Sequence, residues 1–421
     1  MTSSSSSLQF TTDDGVSLNY WECGNSHSVQ KLIFLPGWSL SSEVLFQYQL
    51  PAFATPHKHV IALNPRGHGR QSSSSSVSSL RLARLAKDLH LFLQHLTHTT
   101  VVLDHDDNDN NSNNNDSNQV SITLVCHSAS CVVYWQYLEL FYLEYLQQSN
   151  VTHYRLECVV LMDQMICYLP RENESTTSWT TDDYKQYGVA MTNAQDAYDV
   201  VQNVRHDTDG SFTKSLLQTW VHDQTPKCLL SKDEIDTLWK GMMQMSRSAA
   251  ASLLWQVMTS DFGPFLESLS NYPYVSNLPA TLCIGSVDSH IPCECLSFMA
   301  SLIPNAEYEI LQKGGHLVCY EDPEAFNTIL EDFLQRNEAK RQHHEQPPPP
   351  PPMPVPRAIP KTPKTELPLS PMTPHTRNPD PHRATSPNST TTHPSTTTQT
   401  QVEHHRVVSS SYSLVPDDVL M

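Results

Sequence analysis

The sequence predicts an α/β fold: a mostly parallel central sheet with helices on both faces, an inserted helical cap, and a disordered tail at the C-terminal end. Three observations predict it. Apolar runs at residues 31–35, 60–63, 119–126, 156–162, 280–284 and 306–311 lack the in-and-out alternation of half-exposed strands, as expected where both sheet faces are covered. Helix-length segments separate them, which is the βαβ pattern of a parallel sheet. One run, within QVSITLVCHSASCVV at residues 119–133, passes from strand to helix through a tight turn of small residues that carries Ser128. A serine is a weak nucleophile at its ordinary pKa, so an enzyme that uses one must hold it clear of the sheet beside a base. A strand-to-helix elbow does this.

Taken in order, residues 8–23 alternate apolar and polar positions around Asp14-Gly15, which predicts a two-residue hairpin opening the sheet as an antiparallel edge. The strand at 31–35 ends in Pro36-Gly37-Trp38-Ser39, a loop able to point a backbone N–H at the elbow. The strand at 60–63 ends in Asn64-Pro65-Arg66-Gly67-His68-Gly69. Leu80, Leu82, Leu85, Leu89 and Leu93 recur at three- and four-residue spacings and predict an amphipathic helix over 79–96. Residues 105–118, HDDNDNNSNNNDSN, lack the glycine and the terminal glutamate of a calcium loop and read as a solvated insertion.

After the elbow, residues 131–146 are apolar on most faces, as in a helix buried behind a sheet. The strand at 156–162 is followed by Asp163. Residues 167–272 turn helical and read as the cap, with Trp179, Tyr184, Tyr187, Trp220, Trp239, Met242, Met243 and Met245 as candidates for an apolar lining over Ser128. Strand character resumes at 280–284 and 306–311, and a helix over 324–334 closes the fold. The domains are thus 8–166 and 273–338 for the core, with 167–272 as the cap between them and 339–421 as the tail.

Composition narrows the function. Of the net charge of −18, the region from Ala339 onward carries eight Lys/Arg and six Asp/Glu, a formal +2, which leaves −20 on the rest. That balance disfavours nucleic acid and anionic membrane as partners. No signal peptide or run long enough to span a membrane is expected, and ten cysteines without a paired-motif spacing read as reduced thiols in the cytoplasm. The tail holds six consecutive prolines at 347–352, a preformed extended helix for a partner of the SH3, WW or profilin type. Thr362, Ser370, Thr373 and Ser386 each precede a proline there.

The motifs at the strand ends, taken together, resemble the α/β-hydrolase superfamily in its serine-nucleophile branch, from about residue 8 to 335. Leu35-Pro36-Gly37-Trp38 looks like its oxyanion loop, and Asn64 to Gly69 like its D-x-R-G-x-G loop. Cys126-His127-Ser128-Ala129-Ser130 falls at the nucleophile, Gly285-Ser286-Val287-Asp288 at the acid, and Gly314-Gly315-His316-Leu317 at the histidine. The order Ser, Asp, His is the family's order. The chain departs from the pattern at Pro36, at Asn64, and at Cys126 and Ser130, which stand where the elbow has glycines. Residues 160–169 and 252–266 are similar to haloperoxidase-like esterases and cofactor-free dioxygenases.

The resemblance implies a serine hydrolase that cleaves a carboxylic ester or related small apolar acyl compound through an acyl-enzyme, with no metal or cofactor. His316 would act as general base for Ser128, Asp288 would orient it, and the N–H groups of Trp38 and Ala129 would form the oxyanion hole. His127 is expected to be a packed neighbour. Asp163 is the alternative acid, since it too follows a strand and some cofactor-free dioxygenases carry the acid there. A cofactor-free dioxygenase or perhydrolase, and a weakened ligand-binding or scaffold protein, are the competing functions.

Overall fold

The computed structural model describes residues 6–69, 80–101, 119–147, 154–170, 180–191, 193–223 and 225–345. The insertion at 105–118 and the tail beyond 345, with its proline run, lie outside the described residues, as does Trp179.

Eight strands form one sheet: β1 (Ser6–Thr11), β2 (Ser17–Gly24), β3 (Gln30–Leu35), β4 (His59–Leu63), β5 (Val120–His127), β6 (Tyr154–Met162), β7 (Ala280–Ser286) and β8 (Ala306–Leu311), in the order β1-β2-β4-β3-β5-β6-β7-β8. The β1–β2 and β2–β4 pairings are antiparallel and the others parallel, so the hairpin is the antiparallel edge that the alternation predicts. Its loop is wider than two residues, because Thr12 Oγ and the Thr12 and Val16 backbones close it around Asp13, Asp14 and Gly15. Asp14 is thereby free to reach a second element, described below.

Strand β5 sits in the middle of the sheet with Val120, Ile122, Leu124, Val125 and Cys126 fully buried. At about 1.5–3 kcal/mol per large aliphatic side chain, this burial anchors the strand in the core. The expected amphipathic helix runs over Leu82–Val101 and buries Leu82, Leu85, Leu89 and Leu93. Behind the elbow, Ala129–Tyr137 is α-helical and passes through a single wider turn at Leu138–Tyr142 into Leu143–Gln147. The closing helix is longer than its apolar pattern suggests, Pro323–Glu345. Polar, helix-favouring residues after Leu334 extend it past the expected boundary at 338.

Between β6 and β7 the chain forms the cap helices Thr181–Tyr187, Ala194–His206, Ser211–Trp220, Lys232–Met242, Arg247–Thr259 and Gly263–Ser268. Thr180 and Ser231 begin two of them with reciprocal capping boxes to Asp183 and Glu234, which fix where these short helices start. All ten cysteines are free thiols.

Candidate active site

Strand β5 delivers Ser128 at its C-terminal end with φ 50° and ψ −122°, a conformation a side chain rarely adopts. The strain is held by packing and by hydrogen bonds: Ser128 N–H donates to the Met162 carbonyl at 2.8 Å, and Cys131 N–H to the Ser128 carbonyl at 2.8 Å. The missing elbow glycines are accommodated. Ser130 Oγ donates to the Pro36 carbonyl and ties the elbow to the oxyanion loop, and Cys126 is fully buried, its carbonyl accepting from Cys131 Sγ. On the loop side, a Cβ added at Gly37 would lie 2.7 Å from His127 Nδ1 and 3.0 Å from Ser128 Cβ. Only glycine lets that backbone approach the nucleophile so closely.

His316 Nε2 lies 3.1 Å from Ser128 Oγ, and its Nδ1 lies 2.5 Å from Asp163 Oδ2. The carboxylate that meets His316 is therefore Asp163 and not Asp288, the one at the position the family pattern suggests. Asp288 does not contact His316; its carboxylate pairs with Lys227, and its carbonyl accepts from His222 Nε2. The physical reason lies in the sheet. β6 is the immediate neighbour of β5, with His127 in register with Met162, so the next residue of each strand, Ser128 and Asp163, emerges side by side. β7 is one strand further away. After it ends at Ser286 the backbone turns at once (Ser289 N–H to the Ser286 carbonyl, 3.2 Å), so Asp288 meets the exposed Lys227 while Ser289 reaches the site. Ser289 Oγ donates to Asp163 Oδ2 at 2.5 Å.

Asp163 is fully buried, at φ 51°, with its N–H donating to the Ile284 carbonyl at 2.8 Å. Its second oxygen, Oδ1, has no hydrogen-bond partner. Burial pushes this carboxyl up to about 7 and pushes the His316 imidazole down to about 3. The neutral imidazole thus offers Nε2 as a base while Nδ1–H donates to the acid.

The histidine loop is clamped by groups that sequence reasoning missed. Glu321, 7 % exposed, accepts Gly315 N–H through Oε2 and Leu317 N–H through Oε1, both at 2.9 Å, and so grips the backbone on either side of His316. Burial pushes its carboxyl up to about 7. A lone glutamate in the apolar run Leu317-Val318-Cys319-Tyr320-Glu321 was the available signal. His127 Nε2 donates to the His316 carbonyl at 2.9 Å; burial holds it neutral, down to about 3, so it is the packed neighbour expected.

The cap contributes one residue to this cluster. Trp220 accepts His316 N–H on its carbonyl at 3.1 Å, and its ring lies 5.3 Å from His316 and 6.0 Å from Trp38. A Cβ at Gly315 would fall 2.1 Å from the Trp220 carbonyl oxygen, which accounts for the second glycine of the loop. Four of the other expected lining residues pack elsewhere. Met242 and Met245 are buried behind the oxyanion loop, where Ser39 Oγ bonds the Met242 carbonyl, and Trp239 and Met243 pack on Gly210. Trp38 Nε1 donates to the Ala250 carbonyl at 2.7 Å, so the cap also fixes the loop that carries the expected oxyanion donor.

A groove of about 770 Å³ runs along the opposite end of the sheet, past Gln30, Ser121, Arg155 and Ala280, where the parallel strands begin. The titratable cluster lies instead at their carboxyl ends, where open α/β sheets place their chemistry.

This sheet order, with a strained serine after the fifth strand and a histidine after the last, defines a class, and the chain belongs to the alpha/beta hydrolase family, which it matches over residues 32–329. Among solved structures it is similar to a bromoperoxidase from Bacillus anthracis (18 % identity, TM-score 0.58, covering 78 % of this chain and 100 % of that one). It is also similar to an esterase from Exiguobacterium antarcticum (14 %, TM-score 0.56, 78 % and 100 %) and to the enol-lactonase from Burkholderia xenovorans LB400 (14 %, TM-score 0.54, 78 % and 100 %). At these identities the likeness is one of fold. In sequence, 57 residues are 39 % identical to the protein named "Putative carbamate hydrolase RutD" of Pantoea ananatis (strain LMG 20103), a match over 13 % of this chain and 21 % of that protein's length.

Proposed function

We infer that the chain is a serine hydrolase of carboxylic esters or related small apolar acyl compounds, with Ser128 as nucleophile, His316 as general base and Asp163 as the acid that orients it. The observation that carries this reading is the continuous contact from Ser128 Oγ to His316 Nε2 and from His316 Nδ1 to Asp163 Oδ2 on a strained elbow. His316 takes the Ser128 proton as the oxygen attacks the acyl carbon, then returns it to the leaving group. Water repeats the sequence on the acyl-enzyme. The Trp38 and Ala129 N–H groups are the proposed oxyanion donors; Ala129 opens a helix whose first amides have no partner within it, and one lost donor typically costs about 3–4 kcal/mol of barrier.

The test is a fluorophosphonate probe. It labels wild type and fails on Ser128→Ala, and labelling undiminished in that variant overturns the assignment. A wild type that takes no label at all leaves the ligand-binding or scaffold role.

One observation favours a second reading. The acid follows β6, the position noted above for some cofactor-free dioxygenases, and a similar fold is named a bromoperoxidase. Oxygen uptake with a 3-hydroxy-4-oxoquinoline, in protein inert to p-nitrophenyl esters, selects it.

A cytoplasmic location is proposed from the ten free thiols, and no helix among the described residues is long and apolar enough to cross a membrane. The proline run at 347–352 is proposed as a docking segment for an SH3, WW or profilin-type domain. Truncation after Glu345 should abolish such binding and leave kcat unchanged.

A further inference from the structure

His290 is given no part in the chemistry above, yet it stands at the catalytic histidine. Its ring centroid lies 4.6 Å from that of His316, and it stacks at 15° on Trp220. One ligating atom from each of Asp163, His290 and His316 lies within 4.8 Å of the others, and His290 is exposed. Two imidazoles and one carboxylate are a donor set for zinc and its neighbours in the transition series, whereas magnesium and calcium take oxygen ligands.

We propose that Asp163, His290 and His316 form an inhibitory site for zinc, which shuts the hydrolase off by taking over Nδ1 of its catalytic histidine. The inhibition rests on the hydrolase reading; the binding does not. Ligands about 2.1 Å from a tetrahedral zinc stand about 3.4 Å from one another. His290, on an exposed loop, closes the difference by moving about 1.4 Å toward the other two. The 2.5 Å separation of Asp163 Oδ2 and His316 Nδ1 is too short for both atoms to remain as they are, so the metal enters between them in place of the proton they share.

The proton balance explains the inhibition. In the form that accepts the serine proton, His316 is neutral and carries its one ring proton on Nδ1. When Nδ1 bonds zinc, that proton is transferred through water to Nε2, and none is lost from the ring. Nε2 then faces Ser128 Oγ as a donor and cannot accept the serine proton. Zinc also converts Asp163 from an orienting acid into a metal ligand.

The experiment has two arms, both on the full chain. In the first, Ser128→Ala, which keeps all three ligands, is titrated with zinc chloride by calorimetry, and magnesium chloride serves as control. A zinc site is expected that weakens at least about tenfold on adding His290→Ala, the order of loss typical when a metal site loses a supporting group. His290→Gln, which retains bulk beside Trp220, should weaken it similarly and guards against a folding artefact. In the second arm, zinc should inhibit p-nitrophenyl acetate turnover by wild type, EDTA should restore it, and His290→Ala should keep the basal rate while raising the inhibitory zinc concentration at least about tenfold. Zinc affinity and inhibition unchanged by both His290 variants would overturn the proposal, as would the absence of heat at sub-millimolar zinc. If the enzyme proves inactive on every ester, the first arm still decides the site.

Discussion

Two of the places where the described residues bury charge treat it in opposite ways. Behind the sheet edge, fully buried Arg66 donates to Asp88 from Nε at 2.8 Å and to Asp14 from both terminal nitrogens at 2.7 and 2.8 Å, with Thr12 Oγ and Arg84 completing the network. Burial alone would lower the Arg66 pKa, but the Asp88 and Asp14 carboxylates raise it above its ordinary value, and the Arg66 hydrogen bonds hold the Asp14 carboxyl well below the usual range. At the site, Asp163 has only Ser289 and His316 on one oxygen and nothing on the other, so burial dominates and its carboxyl rises. A saturated charge pins the hairpin to the helix Leu82–Val101. An unsaturated one stands against His316, where a perturbed titration points to chemistry.

The largest expected effect breaks the second region. Asp163→Asn should lower kcat on a p-nitrophenyl ester by about four powers of ten, as wrong-tautomer variants do, with no fall in melting temperature because an under-satisfied buried charge is removed. Asp288→Asn should leave kcat within about twofold, since its carboxylate pairs with exposed Lys227 and does not contact His316. The reverse pattern would restore the β7 acid.

Breaking the first region should act on stability instead. Arg66→Ala removes the buried guanidinium from Asp88 and from exposed Asp14, both of which keep Arg84, and should cost about 3 kcal/mol in urea unfolding, the low end for a broken buried pair, while kcat per folded molecule stays within about twofold. A loss of kcat without loss of stability would show that the hairpin network reaches the site after all.

Glu321 joins the two behaviours, being a structural clamp on a catalytic loop. Glu321→Ala strands two amides at about 1 kcal/mol each, so kcat should fall about 30-fold with KM unchanged. Glu321→Gln keeps one carbonyl acceptor and should fall between that variant and wild type. An equal rise in KM would mean that Glu321 shapes the substrate site rather than His316.

The smallest effect is on pH. The active form needs Asp163 ionised and His316 neutral, and Asp163 is pushed up to about 7, so kcat/KM should fall as the pH drops through that value, by about tenfold between pH 8 and 6. The limb belongs to the Asp163–His316 pair as a whole. Glu321, also near 7, is a second candidate source. If Glu321→Gln abolishes the limb, the clamp and not the acid sets it.

Ser128, His316 and the loops around Trp38 and Gly314 were legible because each lies at the end of an apolar run with a small-residue turn. Asp163 and Asp288 gave the same local signal, an acid after a buried strand. Ser289 gave none, since a serine in a loop is common and only its direction matters.

The sequence by itself determined the strands of the sheet and the placing of Ser128 and His316 at strand ends, in that order, because strand periodicity and turn chemistry are local. It also determined that the body is acidic. What the tertiary structure decided was which carboxylate meets His316, which cap residue covers it, and how the elbow manages without glycines. These depend on strand order and register: β6 lies beside β5 with His127 opposite Met162, so Asp163 emerges next to Ser128, while Asp288 follows a strand one place further away and turns toward Lys227. Pairing between strands distant in sequence is set by the burial of the whole sheet, which no local pattern encodes.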